Sequence, residues 1–197
     1  MFRILIFFLI FFSLSSCSSP EGTWGWYVID PSTKAGWTNI KFLIGGFYST
    51  ILLSIIAAFL SIFIGLVVAL PAMSNNKLLK LFNRVYVEFI RSIPLLPMLF
   101  WVFYGLPVIL KSMGIDANID AFWGAIITLA ISDSAFTAEI YRAGIQSISK
   151  GQTEAAKTIG LNYYQTMRYV IMPQALRRIL PPLANQFIYI VKMSAFA

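Results

Sequence analysis

From Phe42 to Asn76 the chain carries no charged residue, and this run constrains the fold more than any other feature. A bilayer's hydrocarbon core is crossed by about 20 apolar residues in helical form, so the run is longer than one crossing needs. Inside lipid every backbone N–H and C=O must be paired within its own segment, which a helix achieves. Gly45-Gly46 is expected to mark an entry turn or a close helix contact, with the helix proper running from about Phe47 to Met73.

Composition places the rest of the chain in the same class. Of its 197 residues, 58% are hydrophobic and 12% are charged, against about 25% charged in a soluble domain. The net charge of +7 would suggest nucleic acid for a soluble protein. Here the basic residues lie between apolar segments, the pattern of cytoplasmic loops facing anionic lipid, so membrane lipid is the expected partner and nucleic acid is not. The absence of histidine excludes an imidazole base or a zinc set built on imidazole. A single cysteine excludes an intrachain disulfide. No GxxxxGK[ST] stretch occurs, so any ATP chemistry would belong to another subunit. Nothing points to catalysis, a metal site or a cofactor bound by this chain.

Three more apolar segments follow. The second runs from about Val85 to Leu110, with Glu88 and Arg91 early and Pro94 and Pro97 bending it. The third runs from about Ala121 to Ile145 and the fourth from about Ile179 to Val191. The expected fold is all-α: a multi-span transmembrane helical bundle with four spans visible and a cytoplasmic docking loop of short helices. Loop charges set the topology. Lys77, Lys80 and Arg84 stand without an acid, and Lys111 stands with Asp116 and Asp120. Lys150, Lys157, Arg168, Arg177 and Arg178 face Glu154 alone. Positive-inside puts the first and third of these loops in the cytoplasm and the segment before Phe42 outside.

The N-terminal segment has its own grammar. Arg3, a Phe- and Ile-rich run to Phe12 and then Leu14-Ser15-Ser16-Cys17 form a secretory signal pattern. Leu-Ser-Ser-Cys also resembles a bacterial lipobox, with Cys17 the residue that would be lipidated. The alternative is an uncleaved hydrophobic anchor with an incidental cysteine. Residues 18–41, with Trp24, Trp26, Tyr27 and Trp37, read as an extracytoplasmic or interfacial segment, where amphipathic rings sit at headgroup depth.

Between the third and fourth spans lies EIYRAGIQSISKGQTEAAKTIGLNYYQTMRYVIMPQALRRILPP, Glu139 to Pro182. Glu154-Ala155-Ala156 sits on a short helix and Gly160 ends it. Asn162 with Gln165 makes a capping pair that restarts the helix, and Pro173 and Pro181-Pro182 punctuate the residues beyond it. A loop this structured on a membrane protein is a docking surface rather than a spacer.

Glu154-Ala155-Ala156, Gly160, Val170, Met172 and Pro173 stand at the spacing of the EAA docking loop of ABC importer permeases. The family usually has Ile and Leu where Val170 and Met172 stand. The words around Glu139-Ile140-Tyr141-Arg142, Pro173-Gln174-Ala175-Leu176-Arg177 and Pro181-Pro182-Leu183-Ala184-Asn185 resemble the polar-amino-acid branch, and the resemblance runs from about Gly46 onward. It implies a permease subunit of an ATP-driven importer in the bacterial inner membrane, with residues 42–197 as the transmembrane domain. It also implies partners: ABC ATPase subunits carrying ATP-Mg, a second permease copy or paralogue, and an extracytoplasmic solute-binding protein. Glu154, Ala155, Ala156, Gly160 and Pro173 would dock the ATPase. The family core has five spans, so a chain with four reads as lacking its last helix. The alternative function is a truncated, non-transporting permease fragment that still docks an ATPase.

Ionisable residues inside apolar spans are the remaining candidates, because they are costly in lipid and line bundle interiors or pathways. Glu88 with Arg91, and Glu139 with Arg142, are each three apart and are expected to form structural ion pairs. Asp133 has no basic residue at helical spacing, and Ser132, Ser134 and Thr137 give its helix a polar face. It reads either as part of a substrate path with Thr137 and Arg91, or as a carboxyl paired across helices with Arg91 or held protonated.

Overall fold

The computed structural model describes residues 25–74, 76–116 and 119–196. The signal or lipobox-like segment and Cys17 lie outside these. The described residues are helical, without strands, as the fold class expected. They divide into two units at residues 49 and 50.

In the first unit a 3-10 turn covers Gly25–Ile29, and the first long helix, α1, starts at Lys34 and runs to Met73. Asp30 organises this entry. Its carboxylate accepts the Ser32 backbone N–H at 2.9 Å and the Ser32 hydroxyl at 2.7 Å, and these bonds hold its pKa below the usual aspartate value. The expected helix start near Phe47 is therefore too late by more than three turns. Gly45 and Gly46 lie inside the helix rather than at a turn, and a Cβ added to either would meet nothing within 4 Å. Two glycines cost a helix only about 1 kcal/mol each, and no proline precedes Pro71 within α1.

The second unit, residues 50–197, holds the bundle. Asn76 caps α2, Lys77–Ser92, by accepting the Leu78 N–H at 2.9 Å. Ile93 then turns extended before Pro94, since a residue preceding proline is pushed out of the helical region. The expected second span from Val85 to Leu110 is thus two elements. α2 is an amphipathic helix, and α3, Leu95–Ser112, is the apolar one, interrupted by a π turn over Trp101–Gly105. Asp120 caps α4, Ala121–Gln146, through the Phe122 N–H at 3.1 Å. By length and composition α1, α3 and α4 can each cross a membrane.

α4 is the helix around which the others pack. Its buried residues run from Gly124 to Gly144 and are mostly small. α1 meets it along Ala57, Ser61, Gly65 and Ala69, a stripe of small residues at helical spacing that lets two backbones approach. A Cβ on Gly65 would sit 2.7 Å from the Thr137 side chain and 3.0 Å from the Ser134 carbonyl. Leu53, Ala57, Ala58, Ala125, Ile126, Leu129 and Ile190 form one apolar core, and Val68, Ala69, Val87 and Ala138 another.

The last helix, α6, spans Met172–Met193. Pro181 and Pro182 were expected to punctuate the chain, yet the helix passes through both. The two bonds their missing N–H groups forfeit are offset by packing: Ile179 is buried against Gly144 of α4. The fourth expected span, 179–191, lies inside α6, which is less apolar than the other three and does not meet the same crossing criteria.

Candidate functional site: a docking segment and a buried polar cluster

The segment after α4 is a chain of closed turns. α5, Lys150–Thr158, carries Glu154, Ala155 and Ala156. It ends where Leu161 N–H bonds the Ala156 carbonyl at 3.1 Å and Gly160 N–H bonds the Lys157 carbonyl at 2.9 Å. That six-to-one and five-to-two pair needs a left-handed residue, and Gly160 supplies it at φ 84°. Asn162 and Gln165 then exchange bonds, Asn162 Oδ1 accepting the Gln165 N–H at 2.9 Å and Gln165 Oε1 accepting the Asn162 N–H at 3.0 Å. This capping box opens Tyr163–Gln165, which passes through a π stretch at Thr166–Ile171 into α6.

The segment is fastened to the bundle. Ile148, Ile171, Ala175 and Ile179 form a buried cluster with Ile140 and Ile145 packed on it. Gln174 Nε2 donates to Gln152 Oε1 at 3.1 Å, and Arg178 Nη1 donates to the Ser147 carbonyl at 2.6 Å. The two alanines divide their duties: Ala156 is buried against its own chain, whereas Ala155, Glu154, Gly160 and Pro173 are exposed. Ile159, Tyr163, Tyr164 and Tyr169 are exposed around them. Of the docking candidates, Ala156 alone is buried and the other four are exposed.

At mid-span the residues around Asp133 close on themselves. Asp133 is 3% exposed and Thr137 1%. Ser61 of α1 donates to Asp133 Oδ2, and Thr137 donates to the same oxygen at 3.1 Å. Gln186 of α6 donates to Oδ1. Three helices thus deliver three donors to one carboxyl. Alongside, Tyr86 of α2 and Ser134 share a bond of 2.7 Å.

Arg91 is not among these partners, so the alternative in which Asp133 pairs with Arg91 is not seen, and Arg91 does not join Asp133 and Thr137. Its guanidinium lies over the Phe136 ring, 4.9 Å from the centroid, a favourable cation–π placement. Among the described residues Glu88 and Arg91 do not form an ion pair. The break at Ile93-Pro94 leaves both in the exposed last turns of α2. Glu139 and Arg142 do pair: Arg142 Nε donates to Glu139 Oε2 at 2.9 Å and Nη2 to Oε1, while Nη1 reaches Gln146 at 2.6 Å.

Sequence reasoning missed Ser61 and Gln186. Ser61 was available from the small-residue stripe of α1, and Gln186 from being, with Asn185, a polar residue inside an apolar run. Among the described residues no cluster of acids and cysteines could hold a metal ion.

A bundle of apolar helices with a fastened, exposed docking segment is the architecture of a membrane transport component. The model of the binding-protein-dependent transport system inner membrane component matches residues 61–197, and the chain belongs to that family, the permease subunits of ABC importers. It is 44% identical over 157 residues to the probable glutamine ABC transporter permease protein GlnM of Bacillus subtilis, covering 80% of this chain and 70% of that protein. It is 35% identical over 159 residues to the glutamine transport system permease protein GlnP of Escherichia coli, covering 81% and 71%. Among solved structures, an amino acid ABC transporter shares 41% identity at a TM-score of 0.71, over 81% of this chain and 73% of that one. The inward-facing MetNI methionine ABC transporter shares 25% identity at a TM-score of 0.62, over 78% and 71%. The family is a non-enzymatic component of the inner membrane.

Proposed function

We propose that this chain forms the translocation path of an ATP-driven importer of polar amino acids and couples to its ATPase through α5. The observation that carries this reading is the way α5 is joined to the spans. Its C-terminal turn, the capping box and the π stretch leave no loose link between Glu154 and α6, and the cluster at Ile148 and Ile171 ties the same segment to α4. A force applied at Glu154 would move the ends of α4 and α6 rather than melt a loop. The exposed Ile159, Tyr163 and Tyr169 fit a groove on a partner, and the names of the relatives support ATPase partners and an amino-acid substrate. A second permease copy, a solute-binding protein and an extracytoplasmic N-terminal segment complete the expected assembly. ATP-Mg enters through the ATPase.

The polar point on the path is Asp133 with Thr137, and Arg91 lies apart from it. A substrate ammonium reaching Asp133 would replace one of its three donors. Gln186 is the donor that moves with α6, so motion of the docking segment would open that place.

Retention of the ATPase by the tagged permease tests the coupling. Glu154→Arg reverses a charge on the exposed edge, and Gly160→Val forces a β-branched residue into a left-handed turn, strain of about 1–3 kcal/mol. Both should lower ATPase retention at least tenfold while the permease still elutes folded. Unchanged retention in both variants overturns the docking assignment. Asp133→Asn should leave the assembled complex intact and lower amino-acid uptake, and normal uptake removes Asp133 from the path.

A further inference from the structure

We propose that the cytoplasmic mouth between α2 and α4 binds the phosphate headgroup of an anionic phospholipid. A cavity of ≈ 410 Å³ opens there, lined by Lys80, Arg84, Glu88 and Arg91 of α2 and by Glu139 and Arg142 of α4. That volume falls in the range of small-ligand sites, about 300–1,000 Å³. Four cations face two carboxylates. Glu139 is taken by Arg142, which leaves Lys80, Arg84 and Arg91 against Glu88. Among the described residues none of those three cations is in an ion pair, and only Arg91 has a ring beneath it. The excess is positive, and the open end admits a singly charged phosphodiester.

The wall is rigid where the charges stand. Asn83 Nδ2 donates to the Val68 carbonyl of α1 at 2.7 Å, and Val87 packs with Val68, Ala69 and Ala138. At about 3.6 residues per turn α2 divides into three adjacent sectors. Asn83, Val87 and Ile90 face the core. Lys80, Arg84, Glu88 and Arg91 come next round the helix. Leu81, Phe82, Val85 and Phe89 follow, all exposed. The charged sector therefore lies between the protein interior and an apolar face that can lie only against lipid tails or another apolar surface. This order favours a lipid over a free phosphate: the headgroup enters the cavity while its chains run along Phe82, Val85 and Phe89. Basic pockets between spans on the cytoplasmic side hold anionic headgroups in this manner. The site is independent of the transported substrate and of ATPase docking.

Native mass spectrometry of the full chain, purified from bacterial membranes and then titrated with phosphatidylglycerol or phosphatidylcholine, tests the site. The wild-type chain should retain phosphatidylglycerol in preference to phosphatidylcholine. Lys80→Gln with Arg84→Gln should weaken phosphatidylglycerol binding roughly thirtyfold, the loss expected for two basic residues at an anionic headgroup. Lys80→Arg with Arg84→Lys should keep it, which separates charge from misfolding, and Lys111→Gln in the opposite loop should change nothing. Equal binding of the two lipids, or phosphatidylglycerol binding unaffected by the double glutamine variant, overturns the proposal. Displacement of phosphatidylglycerol by millimolar inorganic phosphate overturns the lipid assignment in favour of a free-anion site.

Discussion

Two polar regions lie under two turns apart on α4 and are built on opposite terms. At Asp133 one carboxyl receives three donors from three helices, and that carboxyl is sealed from solvent. At Glu139 and Arg142 the charges pair within one helix turn, each side chain stays about one-third exposed, and unpaired cations stand across an open cavity. The first region derives its value from enclosure: a polar group in a low-dielectric interior costs heavily when it loses a partner. The second derives its value from excess charge that water and lipid can reach, where any single pair is weak. Enclosure fixes how α1, α4 and α6 sit together, and exposure leaves a surface able to take a ligand.

The largest test of this contrast is Asp133→Leu. The substitution keeps the branching at Cγ but is larger, and it leaves Ser61, Thr137 and Gln186 without their shared acceptor. Each stranded donor costs about 1–3 kcal/mol, and the hydroxyls recover part of this by turning to backbone carbonyls of their own helices. A net loss of about 3–5 kcal/mol is expected, seen as a steep fall in the folded fraction by size-exclusion chromatography after graded heating in detergent. A folded fraction within error of wild type would mean that the three helices do not depend on the carboxyl.

Gly65→Ala should act on the same region more gently. The new methyl group meets Thr137 Cγ2 at 2.7 Å and the Ser134 carbonyl at 3.0 Å, so α1 and α4 must part or Thr137 must leave Asp133. Overpacking of this kind costs about 1–3 kcal/mol. The same heating series checks it, and combining Gly65→Ala with Thr137→Ala should restore part of the loss, because the second change removes the methyl group that is struck. Absence of any rescue would place the strain on the Ser134 carbonyl instead.

The two regions were not equally legible in the sequence. Local spacing carries local structure, so the turn at Gly160, the Asn162–Gln165 capping box and the bounds of α4 to within a residue could all be read from it. The Glu139 and Arg142 side chains, three apart, meet as well. What the sequence does not encode locally is who meets whom across helices. Asp133 looked unpartnered because its partners, Ser61 and Gln186, are 72 and 53 residues away. Arg91 looked available to Glu88 by spacing, and Phe136 on another helix took it instead. The proline rule misled in one direction and served in the other. Pro94 ended α2 by holding Ile93 in the extended region, even though Ile93 packs against Ile90, Met98 and Ala135, whereas Pro181 and Pro182 were carried through α6 with Ile179 seated on Gly144.

Glu139→Gln should give the smallest effect on stability and bears most directly on the open region. Both side chains of the pair are partly open to water, so its loss should cost at most about 0.5 kcal/mol, and Arg142 keeps its bond to Gln146. The consequence lies elsewhere. Removing the carboxylate releases the Arg142 guanidinium into a cavity that already holds Lys80, Arg84 and Arg91, and it raises the local charge by one. Affinity for phosphatidylglycerol should then rise about fivefold, in keeping with roughly 1 kcal/mol for each basic residue near an anionic headgroup. The gain should shrink as salt is added, because exposed charges are screened over about 8–10 Å near physiological ionic strength. Heating curves and lipid titrations on the same preparation separate the two readouts. A stability loss above about 2 kcal/mol, with lipid affinity unchanged, would show that Glu139 and Arg142 act as an interior clamp like Asp133, and the contrast between the two regions of α4 would fail.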